Sequence, residues 1–93
     1  METVRLVIKG KVQGVFYRAT ARDRALGLGI KGWIKNTEEG NVEVLASGEK
    51  ENLEKFIAWC RRSPSRALVT DVVISNIDEP YHENFHIINK STG

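Results

Sequence analysis

Nine consecutive residues, Gly10-Lys11-Val12-Gln13-Gly14-Val15-Phe16-Tyr17-Arg18, hold the groups in this chain best suited to chemistry. An alternating apolar run, Thr3 to Lys9, leads in, and a helix-compatible stretch, Ala19 to Leu28, leads out. A strand that feeds a helix through a glycine-bearing turn leaves the first helical N–H groups without intrahelical partners, at the positive end of the helix dipole. Such groups form an anion site. Gly10 and Gly14 admit left-handed or tightly curved backbone, and such a curve turns successive N–H groups toward one point. Arg18, at the seam between loop and helix, adds a planar fork of donors that fits a phosphoryl group. The turn lacks the Gly-Lys-Ser/Thr ending of a nucleotide phosphate loop and has nothing to hold a nucleotide's magnesium. The anion it suits is small.

Four other features of the sequence could also do chemistry. Asn36 stands at a strand end beside a turn, where asparagine commonly serves as a turn-former. Its side-chain amide also donates and accepts, so it can hold a water in one orientation. Cys60 to Arg66 has the Cys-x5-Arg spacing of a cysteine-dependent phosphatase loop. That chemistry wants a thiolate at a strand end, lowered by a following helix N-terminus. Cys60 instead falls in the last turn of a helical pattern, on its apolar face, and reads as a packing cysteine. His82 and His86 are four apart, but in a loop-to-strand context that gives them no common helical face, so solvated or edge positions are expected. Trp33 and Trp59 read as core or rim packing rather than ligand-stacking rings.

The elements that must position the loop follow from periodicity. Val4, Leu6 and Ile8 alternate with Arg5 and Lys9 as in a strand, and the apolar Val7 predicts partial cover on the second face as well. Tyr17, Ala21, Ala25 and Leu28 make a narrow helical stripe, with Gly29 as the expected stop. Lys31 to Thr37 and Val42 to Ala46 read as strands joined by the turn Glu38-Glu39-Gly40-Asn41, an antiparallel hairpin. From Glu49 the period returns to 3.6, with Leu53, Phe56, Ile57 and Cys60 inward, until Ser63-Pro64-Ser65 ends the helix. Leu68 to Ile77 is a fourth strand and Phe85 to Asn89 a short last one, with a frayed tail from Lys90 to Gly93 expected beyond it. The order β-α-β-β-α-β predicts an α+β, ferredoxin-like sandwich: a four-stranded antiparallel sheet with two helices on one face.

Ninety-three residues suffice for one core and are too few for two, so residues 1–93 are expected to form a single domain. No apolar run approaches the ~20 residues that span a bilayer. Met1-Glu2 opens directly into a strand pattern without a signal peptide, and the lone cysteine allows no internal disulfide. A reducing cytoplasm is therefore the expected location, with no membrane partner and a monomer as the expected state. Residues 1–35 carry eight basic residues against two acids, net +6, whereas the remainder is net −4. The positive half contains the glycine loop and would attract a small anion.

Taken together, Gly-x-Val-Gln-Gly-Val-x-aromatic-Arg and Gly32-Trp33-Ile34-Lys35-Asn36-x-x-x-Gly40-x-Val42, with Gly48 beyond, resemble the motifs of the acylphosphatase family. The resemblance continues through Leu28-Gly29, Phe56, Trp59 and Val69 to Val73. Departures are mild: Tyr17 stands where phenylalanine is more usual, Ile34 where a smaller residue is common, and the C-terminal Ile87-Ile88-Asn89-Lys90 ends differently from many members.

The resemblance implies hydrolysis of acyl phosphates to carboxylate and inorganic phosphate, without metal or cofactor. It implies Arg18 and Asn36 as the catalytic pair, Arg18 binding phosphate and Asn36 positioning the attacking water. Phosphate binding by the loop, Gln13, Gly14, Val15, Phe16, Tyr17 and Arg18, is implied through its backbone N–H groups. The chemistry agrees with the residues present, because a carboxylate is a good leaving group and positioning with charge stabilisation suffices. Nucleic-acid binding on the sheet is not expected, since Val42-Glu43-Val44 has no stacking aromatics and carries an acid. The Cys-x-x-Cys of a metal carrier is also absent.

Overall fold

A computed structural model describes residues 1–14, 16–62 and 67–89. Val15 of the loop, the Ser63-Pro64-Ser65 helix stop, Arg66 of the Cys-x5-Arg spacing and the tail from Lys90 lie outside the described residues. The elements are β1 (Glu2–Lys11), α1 (Tyr17–Gly27), β2 (Lys31–Asn36), β3 (Val42–Gly48), α2 (Lys50–Arg61), β4 (Leu68–Ile77) and β5 (His86–Ile88).

The sheet order is β4-β1-β3-β2-β5. The first four strands pair antiparallel, as the periodicity predicts, but β5 adds to the β2 edge in parallel, with Ile34 opposite Ile87 and Lys35 opposite Ile88. The sheet is thus five-stranded and mixed rather than four-stranded and antiparallel. A three-residue strand can join in either direction, because nothing in so short an apolar run encodes the partner; here the connection past Tyr81 brings it back alongside β2.

Val4, Leu6 and Ile8 of β1, Ile34 of β2 and Val42, Val44 and Ala46 of β3 are buried on the helix-bearing face. α1 lies over β2 and β5, and α2 over β3 and β4. The alanine stripe lets α1 sit close to the sheet: Ala21 and Ala25 are fully buried and Tyr17 nearly so. Phe56 fills the space under α2, edge-on to Phe85 at 5.9 Å and stacked on Trp59 at 6.3 Å. Val7 is half-buried on the opposite face, as expected for an interior strand.

Gly10 serves a close approach as well as a turn. It sits at a register shift in the β1–β4 pairing with φ 128°, where a Cβ would lie 2.0 Å from the Leu68 carbonyl oxygen. Only glycine lets β4 pass there, and the extra residue of the bulge, Thr70, falls on β4 between the Lys9–Asp71 and Gly10–Val69 pairs.

Candidate active site

The segment between β1 and α1 is short, and two of its described residues have left-handed backbone. Gly14 has φ 72° and Phe16 has φ 62° and ψ 15°; Phe16 is the only described non-glycine residue with positive φ. These left-handed steps turn the chain sharply into the helix. Phe16 occupies the N-cap position and has no polar side-chain atom to cap with. The first turn contains no acidic residue, and the ladder begins only at Thr20, whose N–H donates to the Phe16 carbonyl at 3.1 Å. The start of α1 therefore keeps its positive end uncompensated among the described residues.

Arg18 is the second residue of that helix, and its Nη1 donates to the Ile88 carbonyl at 3.4 Å. β2 pairs with β5 so that Lys35 faces Ile88, and Asn36 follows Lys35. The pairing brings Arg18 to the end of the sheet where Asn36 stands. Asn36 Oδ1 is buried and has no hydrogen-bond partner among the described residues. An acceptor left in that state is costly unless something donates to it, which a bound water can do.

Gln13 reaches across to the same place. Its Nε2 donates to the carbonyls of Thr37, at 2.9 Å, and Asn41, at 2.7 Å. The turn it grips is closed by its own bonds, Thr37 N–H to the Asn41 carbonyl and Asn41 N–H to Thr37 Oγ1. The side chain thus ties the glycine loop to the residues just after Asn36. A role for Gln13 beyond its backbone was not legible in sequence, because the two carbonyls lie 24 and 28 residues away.

A cleft of about 260 Å³ opens over the loop, lined by Val12, Gly14, Phe16, Tyr17, Arg18, Ala19, Ile87 and Asn89. Four of the six loop residues proposed from sequence line it; Gln13 faces the hairpin instead, and Val15 is outside the described residues. Asn36 does not line it. Ile87 and Asn89 are contributed by the last strand and the residue after it, for which sequence gave no functional signal.

The Cys60 thiol offers no competing nucleophile. It is fully buried, and burial pushes its pKa up to about 12. Burial likewise pushes the Tyr17 phenol upward, and Tyr17 donates its hydroxyl proton to the Cys60 carbonyl at 3.2 Å. Among the described residues no group of three or more His, Cys, Asp or Glu could hold a metal ion. His86 lies in β5 with Nδ1 3.0 Å from the Asn84 carbonyl, outside the cleft.

The family model for acylphosphatase matches residues 4–87, which include both motifs, both helices and all but the ends of β1 and β5 in the sheet. The chain belongs to the acylphosphatase family. Among its relatives, the acylphosphatase of Methylococcus capsulatus is 46% identical over 70 residues, covering 75% of this chain and 76% of that one. The acylphosphatase of Albidiferax ferrireducens is 49% identical over 72 residues, covering 77% and 78%. The crystal structure of the Bacillus subtilis acylphosphatase superposes with a TM-score of 0.90 at 30% identity, covering 95% of this chain and 99% of that one. This chain is accordingly an enzyme with the acylphosphatase activity of its family. No helix among the described residues is long and apolar enough to cross a membrane.

Proposed function

We propose that the β1–α1 loop and Arg18 hold the phosphoryl group of an acyl phosphate while Asn36 orients the water that displaces the carboxylate. The observation that carries this reading is the start of α1: uncapped, free of acids, and bearing Arg18 at the wall of the cleft. The backbone N–H groups of Gln13, Gly14, Phe16, Tyr17 and Arg18 supply donors, and the guanidinium supplies the charge that stabilises the transition state. The buried, unpartnered Asn36 Oδ1 supports the water-holding role. A neutral amide is a poor base, so the proton passes to the phosphate oxygens as the water attacks. The leaving carboxylate needs no protonation.

The described lining has no Ser, Cys, His or Asp nucleophile, and Tyr17 is held neutral by burial, which favours direct attack by water over a covalent intermediate. The protein acts as a single-domain monomer in a reducing cytoplasm and needs no metal or cofactor in this scheme. Hydrolysis of benzoyl phosphate, followed by its ultraviolet absorbance with EDTA present, tests it. Wild type should turn over rapidly, and a folded Arg18→Ala variant should lose about 10³-fold or more, by comparison with removed oxyanion and arginine donors. An Arg18→Ala variant with near wild-type kcat/KM would remove Arg18 from the site, and inhibition by EDTA would bring in a metal.

A further inference from the structure

We propose that the Phe16 side chain receives the acyl end of the substrate and gives this enzyme a preference for acyl phosphates whose acyl group is aromatic or bulky and apolar. The inference rests on the reading above, in which Arg18 and the loop hold the phosphoryl group.

Neither the backbone nor the core asks for an aromatic residue at this position. Phe16 is 81% exposed, so its ring gains little from burial within the protein. Its φ of 62° lies in the left-handed region, where glycine or asparagine would sit with less strain. A bulky residue held there is strained. The ring nevertheless stands on the wall of the cleft, with Arg18 in the same wall and Ala19 and Ile87 adding apolar surface.

The size of the cleft points the same way. A phosphoryl group fills roughly two or three water volumes, on the order of 60–90 Å³. A space of about 260 Å³ leaves room for an acyl group beside it. In phosphoryl transfer the attacking and leaving oxygens lie roughly in line across phosphorus. With water held by Asn36, which is not part of the cleft wall, the leaving carboxylate must point away from Asn36. The cleft, with Phe16 on its wall, is the described space open to it. An aryl or branched alkyl group against that ring would cover the exposed face, whereas an acetyl group is too short to do so.

The test compares kcat/KM for benzoyl and acetyl phosphate in wild type and in Phe16→Asn, chosen because asparagine tolerates the left-handed conformation and keeps the backbone N–H. The ratio of the two substrates within each protein, compared between proteins, cancels the different leaving-group chemistry and any change in the loop that affects both alike. The benzoyl-to-acetyl ratio is expected to fall about tenfold in Phe16→Asn, mainly through a higher KM for benzoyl phosphate, and to stay within about twofold in Phe16→Tyr. Phe16→Gly is the second variant should Phe16→Asn not fold, with the same expected loss. A ratio within twofold of wild type in either variant overturns the proposal, because the side chain then does not meet the acyl group. If both substrates lose rate equally, Phe16 shapes the loop only, and the proposal also falls. Failure of the phosphoryl-site reading looks different: Arg18→Ala would then keep full activity on both substrates, and the Phe16 inference would fall with it.

Discussion

The two helices lie side by side on one face of one sheet and end alike, but they begin differently. Arg24 stands in the last turn of α1 and Arg61 in the last turn of α2, each a cation at the negative end of its dipole. At the other end, α2 starts from Glu49 in extended conformation, with Glu51 in its first turn, so carboxylates meet the positive pole. α1 starts from a left-handed Phe16, with no acid and an arginine in the first turn. Three of the four helix ends are electrically compensated by the chain itself. The fourth has no such compensation among the described residues, and it is where the glycine loop, Arg18 and the cleft coincide and where the proposed phosphoryl site lies.

Substitutions can break or sharpen that contrast. After the loss expected for Arg18→Ala, the next largest effect is expected at the partner of the open helix end: Asn36→Ala should lower kcat by about 100-fold while leaving inhibition by inorganic phosphate within about twofold, since water placement and not phosphate binding is removed. Steady-state kinetics with phosphate as inhibitor separates the two. Making α1 resemble α2, by Ala19→Glu in the first turn, should weaken phosphate inhibition by about fivefold at low salt, with the effect shrinking as salt is added. An unchanged phosphate affinity would mean that the helix start takes no part in binding.

Smaller effects are expected in stability. Gln13→Ala removes the two bonds that tie the loop to the Thr37–Asn41 turn and should cost about 1–2 kcal/mol in urea unfolding, together with a fall in kcat as the two halves of the site loosen. Smallest of all, Glu51→Gln at the start of α2 should cost about 0.3–1 kcal/mol and leave benzoyl phosphate kinetics at wild-type level. A kinetic effect there would show that the two helix ends are not independent.

Much of this molecule was legible in its residues because burial on one face writes a period into the chain. Val4, Leu6 and Ile8 alternate, Tyr17, Ala21 and Ala25 recur every fourth residue, and the elements they predict are those observed. The limits of β4, Leu68–Ile77, agree with those read from the pattern. What lay outside that signal was pairing and long-range contact. The parallel docking of β5 depends on which edge its three residues reach, not on their order. Gly10 could be read as permission to turn, but not as the point where β4 passes within touching distance of a missing Cβ. The Phe16 conformation was equally hidden, since an aromatic residue is among the least expected at positive φ. For the proposed site, the motif resemblance supplied Arg18 and Asn36; the bond from Arg18 to the Ile88 carbonyl and the grip of Gln13 on the Thr37–Asn41 turn belong to the fold and are not written locally.

The anchoring of Arg18 has a further consequence for how activity is acquired during folding. Its hydrogen-bond acceptor lies 70 residues along the chain, in a strand of three residues that pairs on one side only. Contacts of such long sequence separation close late, and short edge strands open at low free-energy cost. The hydrophobic core beneath α2 can therefore assemble before Arg18 is fastened. In a refolding experiment on a Trp33→Phe variant, which leaves Trp59 against the core as the one tryptophan, regain of hydrolysis should trail the recovery of Trp59 fluorescence, and enzymatic turnover becomes a clock for the docking of the last strand.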